Sequence, residues 1–177
     1  RLNQLAKLNV SNGQTSRNQL IKKIIKKKAD VSNASQLVSE KLSHFPASKL
    51  PNRMPYGDFS GQLIDVLRVI GSETAIPVMH VQHGSFDTHD GQKWQHPRLL
   101  AELANGLSTF RKNLIKMGRW HDVLIVTYSE FGRRVAENGA EGTDHGTASV
   151  QFVMGGRVRA GLYGEYPSLD ELEDGDL

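Results

Sequence analysis

The sequence of 177 residues contains no cysteine. Disulfide bonds and thiolate metal sites are therefore excluded, and any metal ion must be bound by His, Asp, Glu or other oxygen-bearing groups. No apolar run approaches the roughly 18 to 20 residues that a membrane-spanning helix needs, which predicts a chain without a membrane span. No signal peptide is recognisable either, and Arg1 in place of Met suggests that upstream sequence is missing.

Aromatic residues are scarce, at 7% of the chain, and none accompanies the main basic cluster. This cluster consists of Lys22, Lys23, Lys26, Lys27 and Lys28, interleaved with Leu20, Ile21, Ile24 and Ile25. The helical spacing of the apolar residues favours the solvated face of an amphipathic helix. Nucleic-acid binding is the alternative for such a basic run, and it ranks last because aromatic partners for the bases are lacking.

Hydrophobic periodicity predicts helices and short strands in an alternating order. Helices are expected at about 18–29, after Ser32, up to Gly71, and over 97–117; strands are expected at 75–81, 122–129 and 150–154. The order helix, strand, helix, strand, loop, strand is typical of an α/β fold with a mainly parallel sheet. Residues 1–56 are interpreted as a helical N-terminal segment, and residues 57–177 as part of an α/β metal-site domain.

Six polar residues stand in three segments that the prediction places at one edge of the sheet, since ligands bind at the carboxyl ends of parallel strands. They are Asp87 and His89 in FDTH, Glu130 and Arg133 in SEFGRR, and Asp144 and His145 in GTDHG. Carboxylates and imidazoles suit zinc, manganese, calcium or magnesium. Separately, each segment could be a turn, a helix cap or a salt bridge; together they predict a metal site. Arg133 or Arg134 is expected to bind an anionic group, because a guanidinium matches phosphate or sulfate oxygens.

FDTH, SEFGRR and GTDHG occur in an order that, with the later GG and YG…P segments, resembles a bacterial family of uncharacterised proteins. That family is grouped with the alkaline phosphatase and sulfatase superfamily. The resemblance covers roughly 57–177 and implies a three-layer α/β/α sandwich, of which this chain is the C-terminal part. It also implies one or two divalent ions held by the five ligand candidates, with Arg133 orienting the anion. Two departures are the close spacing of Asp87 and His89 and the presence of Phe131 where a histidine is expected.

The function that this resemblance implies is metal-dependent hydrolysis of phosphate or sulfate esters, with a small anionic ester as substrate. Relatives carry a nucleophilic Ser or Thr further upstream, and residues 1–56 offer no match for it, so the chain alone is expected to show little turnover. Relatives also commonly begin with a twin-arginine export signal, which implies a periplasmic or exported protein. The alternative function is a non-catalytic binding or surface-associated protein that retains the scaffold and a structural ion.

Overall fold

The computed structural model describes residues 15–177 and is built mainly from three helices. These are α1 (Thr15–Ser43), α2 (Asp58–Gly71) and α3 (Gln92–Lys116), with short 3-10 helices at Ala47–Lys49 and Trp120–Asp122. The strands are β1 (Leu124–Val126), β2 (Gly132–Glu137), β3 (Thr143–Gly146) and β4 (Val153–Gly155). Among the described helices, none combines the length and apolar character needed to cross a membrane.

The predicted helices are present, with different bounds. The two expected before Phe45 form one continuous helix, α1, because no glycine or proline separates Ala29 from Ser32. Helix α2 ends at Gly71 as predicted. Helix α3 begins five residues before Pro97, which lies within it. The part of the predicted helical segment that precedes Thr15 lies outside the described residues.

The predicted three-layer α/β/α sandwich with a mainly parallel sheet is wrong. The described strands form two separate two-stranded sheets, β1 with β4 and β2 with β3, and both pairs are antiparallel. Apolar patterning marks a segment as a strand but carries no information on the direction of its partner, which is how the prediction failed. Among residues 15–177, no helix layer covers the outer side of β1, where Leu124 and Val126 are exposed.

The strand predicted at 75–81 is also wrong, since within the described residues this segment pairs with no strand. Pro77 lies at its centre and has no N–H to donate to a neighbouring strand. The strands predicted at 122–129 and 150–154 correspond to the shorter β1 and β4. Conversely, the predicted loops that contain Arg133 and Asp144 are the two strands of a hairpin, β2–β3.

The hydrophobic core lies between α2 and α3. Its buried side chains are Leu63 and Leu67 of α2, Phe110 and Leu114 of α3, and Met54 from the connecting segment. Gly106 lets the helices approach closely, because a Cβ atom there would lie 2.7 Å from the Phe59 ring. Partly buried Val81 and Ile125 pack against this cluster, so the end of the 75–81 segment and β1 contact the helix pair.

The C-terminal end of α1 is tied to α2 by Arg68. Its guanidinium donates hydrogen bonds to the carbonyl oxygens of Leu42, in the last turn of α1, and of Phe45, just beyond the helix, at 3.1 Å each. The lysines of the basic cluster are exposed, as predicted, but Leu20 and Ile24 on the apolar stripe are exposed as well.

The last residues of the chain are held against the end of β3 by Asp176. Its carboxylate accepts hydrogen bonds from the backbone N–H groups of Thr147 (3.1 Å) and Leu177 (2.9 Å). These bonds, with a smaller contribution from the charge of Arg134, lower the pKa of Asp176. The ionised form is therefore the one that stabilises this contact.

We expect the Asp176→Asn variant to have a lower thermal midpoint than the wild type at pH 7. Because the pKa of Asp176 is lower in the folded than in the unfolded state, its stabilising effect is present above about pH 4 and is lost as the pH falls through the folded value. The difference between the two midpoints should therefore shrink in acid. Asp170→Asn, at an exposed position, is the control; a difference independent of pH would contradict the assignment.

Candidate metal centre

Three ligand-type side chains converge on one point: Asp87, His89 and His145. The Asp87 Oδ1 atom lies 2.7 Å from His145 Nε2 and 3.1 Å from His89 Nε2. The two Nε2 atoms are 3.1 Å apart. All three side chains are about half exposed, so the point where they meet is open to solvent.

The cluster forms where the segment before α3 meets the β2–β3 hairpin. Asp87 and His89 come from that segment, whereas His145 lies on β3. Backbone hydrogen bonds join the two parts: Gly91 N donates to Ala140 O at 3.0 Å, and Gln92 N donates to Glu141 O at 2.9 Å. The ligands are therefore brought together by main-chain contacts that do not depend on the ligands themselves.

Gly142 allows this close approach of the two segments. A Cβ atom at this position would lie 2.2 Å from both the carbonyl carbon and the oxygen of His89, a distance that no side chain tolerates. Gly146, at the other end of GTDHG, pairs across the hairpin with Gly132. The glycines of this stretch thus serve close packing of extended backbone, and the stretch is not a turn.

Arg133 lies directly opposite His145 in the hairpin register. Its guanidinium donates to the carbonyl oxygens of Phe86 (2.8 Å) and Thr143, and its Nη2 atom lies 3.4 Å from Asp87 Oδ1. The side chain thereby connects the segment that carries Asp87 to β3. Its predicted role in orienting an anion stays a prediction.

Phe131 stacks on the ring of His145, with ring centroids 3.9 Å apart and the planes 5° from parallel. The Arg133 guanidinium lies over the same phenyl ring, 4.9 Å from its centroid. The phenyl ring therefore limits the orientations open to both side chains. Where the resemblance led us to expect a histidine, this residue supports a neighbouring histidine.

Asp144 approaches the cluster from the other side of the His89 ring. Its Oδ1 atom lies 3.3 Å from His89 Nδ1 and accepts a hydrogen bond of 3.1 Å from Asn138 Nδ2. The bonds from Asn138 and His89, in that order, lower the pKa of Asp144, which favours its ionised form.

The surroundings of Asp87 likewise favour its ionised form. The hydrogen bond from His145 is the largest influence that lowers its pKa, and the nearby charges of His145, His89 and Arg133 act in the same direction. An ionised Asp87 is the form that could bind a cation.

The structure thus brings some of the predicted ligands together and leaves others outside the group. Asp87, His89 and His145 meet, and Asp144 contacts the distal nitrogen of His89. Glu130 is exposed and is not part of the converging group. Sequence reasoning missed Asn138, which lies between SEFGRR and GTDHG, and noted Phe131 only as a departure from the resemblance.

The donor set fits a divalent ion such as zinc. Bonds of 2.0–2.1 Å in a tetrahedral site place neighbouring donor atoms about 3.3 Å apart, close to the separations of 2.7–3.1 Å found here. Two imidazoles and one carboxylate also form the ligand set of some catalytic zinc sites.

The fold and the cluster together define a helical protein with an Asp–His–His group, formed where the segment before α3 meets an antiparallel hairpin. A protein-family model described as "Protein of unknown function (DUF1501)" matches residues 3–173. The chain belongs to this family. No curated protein and no solved structure matches the chain. The relation to the alkaline phosphatase and sulfatase superfamily stays a prediction.

Proposed function

We propose that this chain provides the divalent metal centre of a hydrolase that acts on phosphate or sulfate esters. The observation that carries the proposal is the convergence of Asp87 Oδ1, His89 Nε2 and His145 Nε2 on one solvent-accessible point. Three protein ligands leave coordination positions free, which is typical of catalytic sites, whereas structural zinc sites are closed by four protein ligands.

Zinc is the ion that these ligands favour, and manganese is the next candidate. Imidazole nitrogens suit zinc, while calcium prefers six to eight oxygen ligands. Within the described residues, the converging group supplies two nitrogens and one carboxylate. We therefore place calcium last among the ions predicted from the sequence.

The residues around the ion would have different roles. A divalent ion held here would act as a Lewis acid toward an ester oxygen. Asp87, His89 and His145 would hold it. Arg133 fixes Asp87 relative to β3, and Phe131 fixes the ring plane of His145. Export to the periplasm and a small anionic ester as substrate belong to the same proposal.

The test is hydrolysis of nitrophenyl phosphate and nitrophenyl sulfate by the natural polypeptide that carries this sequence, after loading with zinc or manganese. We expect metal-dependent release of nitrophenolate that is lost in Asp87→Ala. The matched control is Asp65→Ala on α2, whose exposed carboxylate pairs with Arg68 and lies outside the cluster. Bound zinc with no hydrolysis of either ester would contradict the proposed reaction and would favour the alternative of a non-catalytic metal-binding protein.

A further inference from the structure

The side-chain amide of Asn138 makes four hydrogen bonds at the turn of the β2–β3 hairpin. Its Oδ1 atom accepts from the backbone N–H groups of Ala140 (2.9 Å) and Gly142 (3.1 Å). Its Nδ2 atom donates to the carbonyl oxygen of His89 (3.0 Å) and to Asp144 Oδ1 (3.1 Å). The full capacity of an amide is two donated and two accepted bonds, so Asn138 is completely satisfied.

These four bonds fall into two halves with different consequences. The accepting half closes the hairpin turn, because both donors belong to residues of the turn. The donating half reaches out of the turn to His89 and Asp144. Only the donating half connects Asn138 with a residue of the metal centre.

Because Asp144 Oδ1 lies 3.3 Å from His89 Nδ1, the donating half would favour the tautomer of His89 that carries its proton on Nδ1. An Asp144 carboxylate held by Asn138 can only accept from His89 Nδ1, so it selects the tautomer with a proton on Nδ1. His89 Nε2 then presents its lone pair toward Asp87 Oδ1 and His145 Nε2. Histidines that bind metals commonly donate their second N–H to a carboxylate in this way.

We infer that Asn138 is a positioning residue of the metal centre, acting through Asp144 on the tautomer and orientation of His89. This inference rests on the proposed metal centre and revises the role of Asp144 from ligand to orienting group. Asn138 also holds the His89 main chain through the carbonyl oxygen, so both the backbone and the ring of this ligand are fixed from one side chain.

The experiment uses Asn138→Asp, which keeps the shape and the accepting half of the side chain but removes the donating half. A carboxylate there would face the His89 carbonyl oxygen and the Asp144 carboxylate with no proton to donate. We expect zinc affinity, measured by titration against a chelating dye, to fall by about 10- to 100-fold, the range for loss of an outer-shell partner. The ligand-field spectrum of bound cobalt should change as well.

The control for the added charge is Asn105→Asp, at an exposed position of α3 about 20 Å along the helix from Gln92. This variant should keep the wild-type zinc affinity. If Asn138→Asp also keeps it while the wild type binds zinc, Asn138 serves only the hairpin turn and the inference is overturned, whereas the metal centre stands. Failure of the wild type to bind zinc would overturn the metal centre and the inference together.

A second measurement needs no substitution. Nitrogen-15 spectra of the imidazoles in the zinc-loaded wild type should show His89 protonated at Nδ1 and coordinated through Nε2. Coordination through Nδ1 would overturn the inference even if every variant folds poorly.

Discussion

Replacement of His145 by alanine should reduce zinc affinity at least about 100-fold, since loss of an outer-shell partner alone can cost that much and His145 is a direct ligand in the proposed centre. The imidazole supplies one of the three converging atoms, 2.7 Å from Asp87 Oδ1. Its removal leaves a carboxylate and one histidine, which is a poor set of ligands for zinc. Isothermal titration with zinc at neutral pH measures the effect.

The matched control for His145→Ala is His44→Ala, at an exposed position before the first 3-10 helix. His44→Ala removes an imidazole that lies outside the cluster. The zinc affinity of this variant should therefore equal that of the wild type. Because the His145 side chain is 46% exposed, the metal-free variant should keep the helical circular dichroism of the wild type. Equal zinc affinity in His145→Ala and wild type would exclude the proposed centre.

Leu67→Ala should destabilise the chain by about 2–5 kcal/mol, the range for truncating a buried leucine. Leu67 is fully buried between α2 and α3, in the cluster with Phe110 and Leu114. Its loss removes apolar contacts and leaves a cavity in the main core of the described residues. Urea unfolding followed by circular dichroism measures the change in the free energy of unfolding.

The control is the same substitution at Leu162, whose side chain is fully exposed. Leu162→Ala should change the free energy of unfolding by no more than about 0.5 kcal/mol, as is usual for surface positions. A similar effect of both substitutions would mean that the interface of α2 and α3 does not determine the stability of the chain.

Helices were the part of the fold that the sequence could predict. The apolar stripe of α3 and the glycine that ends α2 are local signals, and both elements are present. Strand partners depend on residues far apart in the chain, as in the pairing of Leu124 with Gly155. Since no periodicity encodes that choice, the parallel sheet was predicted from element order and from the resemblance, and it was wrong.

The same holds for the candidate site: its residue types could be read locally, whereas the packing that joins them depends on distant parts of the chain. Residue types, their expected convergence and the resemblance together selected Asp87, His89 and His145, which the structure brings together. The predicted reason was a shared sheet edge, whereas the observed cause is a hairpin packed against the segment before α3. Asn138 gave no signal, because an asparagine in a glycine-containing segment is ordinarily interpreted as a turn residue.

The hairpin that carries His145 contributes no side chain to the buried hydrophobic core of the described residues. Regions with little buried apolar surface open at a lower free energy than the global unfolding of a protein. Amide hydrogens of β2 and β3 would accordingly exchange with solvent through such local openings, independently of α2 and α3. An ion that binds only the closed hairpin would slow this exchange by mass action, with about 2.7 kcal/mol of added protection at one hundred times its dissociation constant. Deuterium uptake in the β2–β3 hairpin would then measure the fraction of the protein that holds the ion.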